Sequence, residues 1–263
     1  RFHAHHRWSG WNESGALRFA TPAGERCASA DATVLALGGG SWPQLGSDGD
    51  WQAILLERGI DMRPLLPANC GFDIGWSGHF AQRHAGAPLK PVVAHWRDAQ
   101  GAERSLQGEC VVTENGIEGS LIYAIAADLR DAIARDGRAE LRLDLAPGRD
   151  RQPLRGALAQ PSRRSFGERL RRQAGLNEVK AGLVRESLPK ESFGDPDALA
   201  DAIKRLPLAL LRPRPIAETI SSAGVSCESL RMREAAGCTR CSSASNEKPA
   251  PSGMAISPSS TNW

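Results

Sequence analysis

The sequence predicts a mixed fold: an α/β, Rossmann-like unit of β-meander and parallel strand, joined to an α+β unit of small β-barrel and helices. Three observations carry this. Thr33 to Leu37 is an apolar run rich in β-formers, with no alternating polar face, and it runs straight into Gly38, Gly39 and Gly40. Such a run suits a strand buried on both sides, as in a parallel sheet. Residues 70–113 break into short strand-like runs separated by glycine and proline, the pattern of an antiparallel barrel or sandwich. Residues 117–136 and 149–206 carry helical spacing.

The elements follow in order. Residues 1–30 read as strands and turns, a meander feeding the run at Thr33. His3, His5 and His6 lie in it, but no carboxylate or cysteine completes a metal set, so no metal is expected. After the triple glycine come Ser41-Trp42-Pro43 and Gly46-Ser47-Asp48-Gly49. Bare backbone at a strand's carboxyl end allows close approach of a ligand. Trp51, Ile54 and Leu55 then begin a helix from about Gly49 to Glu57, closed by Gly59, with Ser47 or Asp48 as its cap. The first N–H groups of that helix could face a phosphate or a flavin edge; an ordinary glycine-rich turn fits the residues equally well.

Pro64 and Pro67 mark a change of character. Strands are expected at 70–74, 91–96, 104–107 and 109–113. His79, Arg83, His84 and Lys90 give this region a basic edge, which suits a solvated rim better than a nicotinamide-cofactor phosphate site. Ile117, Leu121, Ile125, Leu129 and Ile133 predict one long helix closed by Gly137, and Leu141, Leu143 and Leu145 alternate as a strand. Tyr123, the only tyrosine, reads as a packed amphipath rather than a proton donor. Arg163, Arg164, Arg169, Arg171 and Arg172 crowd one segment against Glu168 alone. With Phe166 the only nearby aromatic, a solvated face fits better than an anion or nucleic-acid patch. Helices are expected at 177–188 and 195–206, the second with Asp195 as cap and Pro196 in its first position. Pro207, Pro213 and Pro215 read as a stiff connector.

The totals bound the class. The chain has 263 residues, a net charge of +3 and a pI near 8.6, only mildly basic. No apolar run approaches the roughly 20 residues of a membrane span, and no signal peptide is visible in the polar opening. The first residue is arginine, so the start is expected to be missing or processed. Cys27, Cys70 and Cys110 lie in or beside apolar runs and read as buried thiols, which suits a reducing cytoplasm. Cys238 and Cys241 form a C-x-x-C without a fourth zinc ligand or a thioredoxin-like setting.

Leu35-Ala-Leu-Gly-Gly-Gly-Ser-Trp-Pro with Gly46-Ser-Asp-Gly resembles the middle motif of the BaiN-type NAD(P)/FAD-dependent oxidoreductases, the YhiN-like flavoproteins. Pro67-Ala-Asn-Cys-Gly-Phe, Gly86-Ala-Pro-Leu-Lys, Gly116-Ile-Glu-Gly-Ser-Leu-Ile-Tyr and Pro215-Ile-Ala-Glu-Thr-Ile-Ser-Ser-Ala-Gly extend the resemblance to about Val225. It implies a partial FAD-binding domain at 1–66, an inserted barrel and helical domain at 67–206, and a return segment at 207–225. It also implies FAD as cofactor, NAD(P)H as electron donor and a small organic substrate. The residues expected at the cofactor are Gly38, Gly39, Ser41, Gly46, Ser47, Asp48, Ser222 and Gly224; no catalytic side chain is identifiable.

Two parts of the family pattern are absent. No Gly-x-Gly-x-x-Gly spacing occurs, so no turn is available to hold the flavin pyrophosphate. From about Ser226 the resemblance and the periodicity stop together, and 226–263 reads as a disordered tail produced by a reading-frame change near Gly224. The expectation is a fragment of a flavin-dependent oxidoreductase that binds FAD weakly or not at all. The alternative is a non-enzymatic module binding anions or nucleic acid through the arginine-rich helices.

Overall fold

The computed structural model describes residues 1–224. The expected tail at 226–263, with its C-x-x-C and its frame change, lies outside the described residues.

The opening meander forms as expected. Strands β1 (Arg7–Trp11), β2 (Leu17–Thr21) and β3 (Gly24–Ala28) pair antiparallel in sequence order. The Asn12 side chain accepts from the Ser14 and Ala16 N–H groups and fixes the turn between the first two. Cys27, expected inside, is exposed on β3, because that strand lies at the meander's edge and every residue of it faces solvent.

The next run corrects the sequence reading. Thr33 to Leu37 pairs with no described strand, and Val34 is 89% exposed. Every strand pairing among the described residues is antiparallel. The reason is physical: a run buried on both faces needs neighbours for its backbone N–H and C=O groups, and no described strand supplies them. Helix α1 (Trp51–Glu57) follows. Neither Ser47 nor Asp48 caps it; the cap position is Asp50, with no side-chain bond to the helix.

The centre of the molecule is a seven-stranded antiparallel sheet. Two residues at Leu66–Pro67 form β4, which stands outside it. The sheet's first strands are β5 (Phe72–Asp73), β6 (Pro88–Arg97), β7 (Glu103–Val112) and β8 (Gly116–Glu118), with helix α2 (Gly78–His84) inserted after β5. The two strands expected between 104 and 113 are one, because Gly108 pairs with Val92 within a continuous ladder. That ladder shifts register between Leu89 and Val92, where Pro91 has no N–H to offer.

The long helix expected over 117–136 is also divided. Gly116–Glu118 is strand, and the helical part splits into α3 (Ser120–Ala124) and α4 (Ala126–Asp136) at Ile125. Ile117 fits both periods, since it is buried in the sheet while continuing the every-fourth pattern. Gly137 closes α4 as expected.

Strand β9 (Ala139–Asp144) leads to helices α5 (Arg151–Leu158), α6 (Phe166–Arg169), a π-helical turn (Leu170–Ala174), α7 (Glu178–Ser187) and α8 (Pro196–Lys204). In α8 the Asp195 carboxylate accepts from the Asp197 N–H and Pro196 takes the first position. Strands β10 (Leu206–Leu210) and β11 (Arg212–Pro213) complete the sheet order β10-β9-β6-β7-β8-β5-β11. The expected stiff connector at Pro207 is therefore a strand, and its proline is tolerated because β10 lies at the sheet edge.

Leu206, Leu208 and Leu210 alternate inward beside Leu141 and Leu143, and α7 and α8 cover them with Leu183, Val184, Leu199 and Ile203. Each such side chain contributes roughly 1.5–3 kcal/mol by leaving water. Two polar links tie the sheet to its neighbours, one at this core and one at the opposite end of the strand order. Buried Lys180 donates from Nζ to the carbonyls of Pro91 and Leu145, both at 2.7 Å. Asp73 accepts from Arg212 Nε at 2.5 Å and from Arg214 Nη1 at 2.9 Å.

Candidate functional site

The glycine-rich stretch meets the far end of the described chain in an open cleft of about 670 Å³. Its geometry starts from β12 (Ser222–Ala223), which pairs antiparallel with β4. Bonds from Ala68 N–H to Ser221 O and from Ile220 N–H to Asn69 O, both 3.0 Å, extend that pairing. From α4, Arg130 Nη1 donates to the Pro67 carbonyl at 2.8 Å and ties this ribbon to the helical layer. Ser222 is thereby set against the triple glycine, and its Oγ accepts from the Gly40 N–H at 3.0 Å.

Glycine is required on both sides of this contact. A Cβ on Gly39 would come within 2.0 Å of Ser222 Oγ. Gly224 has φ +122°, and a Cβ there would come within 2.2 Å of the Pro64 carbonyl. Trp42 and Ser47 close a small loop by exchanging backbone bonds of 3.3 and 3.1 Å, around a short 3-10 turn that ends at Gly46 in the left-handed region.

Of the eight residues expected together, Gly38, Gly39, Ser41, Ser47, Ser222 and Gly224 line the cleft. Gly46 and Asp48 do not. Gly46 sits on the exposed outer bend of the loop. Asp48 turns away: its Oδ1 accepts from the Asp50 N–H at 3.1 Å and its Oδ2 from Arg7 at 2.8 Å. The Asp50 N–H and then Arg7 hold its carboxyl below the usual range. Trp42, Leu65, Ile220, Ser221 and Ala223 also line the cleft. Of these, Trp42 was visible as part of the Ser-Trp-Pro motif, and Ile220, Ser221 and Ala223 as part of the motif at 215–224; Leu65 carries no local signal, and only the pairing of β4 with β12 beside it brings it in.

The chemistry on offer is limited and specific. The lining holds serine hydroxyls, bare backbone and an indole, and no charged side chain. Among the described residues the N–H groups of Gly38, Gly39 and Ser41 donate to nothing. Such a lining fits the edge of a flat, hydrogen-bonding ring. For a pyrophosphate it offers backbone N–H groups but no cation and no helix N-terminus to balance the charge.

The other sequence candidates lie elsewhere. Tyr123 is half-buried on α3, and burial followed by Glu118 raises its hydroxyl above the ordinary range. Burial pushes the Cys70 thiol up to about 11 and Cys110 up to about 12, so both are inert packing groups. No cluster of potential metal ligands occurs among the described residues. Four of the five arginines of the run are paired within the fold: Arg164, Arg171 and Arg172 all reach Glu168. Hydrogen bonds from Arg172 and then Arg171 hold that carboxyl down at about 2. Arg169 donates to the carbonyls of Leu158 and Phe193.

Residues 66–221 match the model of the HI0933-like protein barrel and H2TH domain, more than half of the chain. The chain belongs to the HI0933-like family. The matched range covers the seven-stranded sheet and the helices on it. From the cleft it takes in Ile220 and Ser221, while the glycine-rich stretch, Ser222 and Gly224 lie just outside it. A search of curated proteins returned no match. The HI0933-like domain is a flavoprotein-family domain, and the fold is mixed helix and antiparallel sheet. None of the described helices is long and apolar enough to cross a membrane.

Proposed function

We propose that this chain is part of a flavin-dependent oxidoreductase of the BaiN type, and that the cleft between Gly38–Ser47 and Ser221–Gly224 receives the ring end of FAD. The observation that carries the reading is the juxtaposition of Gly39, Gly40 and Ser222, made by residues 182 positions apart. It leaves uncommitted backbone donors beside an uncharged, glycine-lined wall. When bound, a flavin supplies the hydride and electron chemistry. The chain's own residues bind and orient it. The Gly39 and Ser41 N–H groups would serve as donors to the ring's acceptors, and the Ser47 hydroxyl would add a further bond. Trp42 and Leu65 exclude water from one side.

The nicotinamide donor, the small organic substrate and a cytoplasmic setting rest on the resemblance of the motifs at 35–43 and 215–224. Because the lining has no cation to balance a pyrophosphate, weak FAD binding is expected. Riboflavin and FAD should therefore bind alike, each quenching tryptophan fluorescence. Stoichiometric FAD retained through purification would contradict this assignment of the cleft to the ring alone.

A further inference from the structure

A second cavity, of about 410 Å³, lies between α2, α7 and the segment from Ser165 to Arg171. It is built by helix spacing. His79, Phe80, Arg83 and His84 fall on one face of α2, and Glu178, Ala181, Gly182, Arg185 and Glu186 fall on one face of α7. Gly182 lets the helices meet: a Cβ there would come within 2.5 Å of His84 Nε2. Phe80 and Phe166 supply apolar wall, with the Phe80 ring tilted against the His84 ring at 4.9 Å between centroids.

The polar groups divide cleanly into committed acceptors and free donors. Glu178 takes Arg83 Nε and Nη2 at 3.0 and 2.6 Å. Glu186 takes the Ser77 N–H and hydroxyl at 2.6 and 2.8 Å. Glu168 takes Arg171 and Arg172. The donors are different. His84 is 6% exposed, its ring nitrogens make no hydrogen bond among the described residues, and they are not sealed off from the solvent of the cavity. Arg185 and His79, on the cavity's rim, likewise make no hydrogen bond or ion pair among the described residues.

We propose that this cavity is a binding site for a small molecule bearing an oxyanion, a carboxylate or a phosphate, held by Arg185, His84 and His79. Glu168 and Glu186 use both carboxylate oxygens and Glu178 uses one, while Arg185, His84 and His79 are unused, so an acceptor suits the set better than a cation. Arg185 provides the charge, His84 the fixed donor at the floor, and the two phenylalanines take the ligand's apolar part. The site is separate from the glycine-lined cleft and does not depend on its occupant.

The test is a titration of the whole chain with inorganic phosphate and, separately, acetate, at ionic strength held constant with chloride, following the His84 imidazole by NMR. The expected result is a saturable shift of His84 with one or both anions; the tighter of the two names the ligand's head group. Arg185→Gln, an exposed change that leaves the fold alone, weakens binding about tenfold. Gly182→Ala pushes into His84 and abolishes it. A His84 signal that moves with neither anion, or no more than the exposed His3, overturns the proposal, as does wild-type affinity in Arg185→Gln.

Discussion

The Ser222 hydroxyl accepts the Gly40 N–H at 3.0 Å, joining two short segments 182 residues apart. Everything between them, the sheet and its helical layer, is the scaffold that holds those ends in register. Replacing Ser222 by alanine removes the acceptor and costs about 1 kcal/mol. Urea unfolding checks it, and the loss should appear without change in the core's near-UV circular dichroism.

Gly39→Ala is a harsher probe of the same contact. Its Cβ would fall 2.0 Å from Ser222 Oγ, so the two segments must separate. The expected cost is about 1–3 kcal/mol, read as a lowered thermal midpoint, together with loss of whatever flavin quenching the wild type shows. Gly46→Asn, a side chain that tolerates the left-handed bend and meets no neighbour there, should leave flavin binding unchanged.

Asp73 gives the fold an acid limit. Burial alone would raise its carboxyl; hydrogen bonds from Arg212 and Arg214 outweigh that and hold it below the ordinary value. A depressed folded-state value contributes stability above the unfolded value, near 4, that is lost as pH falls through it. The urea midpoint should therefore drop steeply below about pH 4. Asp73→Asn should be less stable at pH 7 and show a shallower acid slope.

His84 acts earlier. Burial first, then Arg83, lowers its imidazole below the usual range, with Glu178 opposing and His79 adding slightly. The unfolded chain takes up the proton more readily, so stability is fully present above about pH 6.5 and declines as pH falls below it. Arg185, Glu186, Glu168 and Arg171 face the same cavity, Glu186 bonded to Ser77 and Glu168 to Arg171. His84→Phe should flatten the urea midpoint between pH 7.5 and 5 relative to wild type, roughly in proportion to the lost protonation.

Much of the scaffold was legible because its signals are local. Asp195-Pro196 marks the start of α8 and Gly137 the end of α4, each by its own backbone chemistry. What failed was non-local. Thr33 to Leu37 reads as a buried strand, but burial depends on neighbours, and no described strand provides them. Pro207 reads as a connector, yet an edge position makes it a strand residue. For the cleft, the glycines and Ser222 were visible as motifs, whereas Asp48 was miscast because nothing in its own segment announces Arg7 as its partner. The free donors around His84 were seen as a rim; their enclosure by α7 comes from a contact about 95 residues away in sequence.

The assignment of the glycine-lined cleft to the flavin ring is tested most directly by titrating riboflavin and FAD into the wild type, Trp42→Phe and Gly39→Ala, following tryptophan fluorescence. The account predicts weak, saturable quenching by both flavins with similar midpoints, reduced in amplitude by Trp42→Phe and lost in Gly39→Ala. Quenching that Gly39→Ala leaves untouched, or no saturable quenching by either flavin, would contradict it.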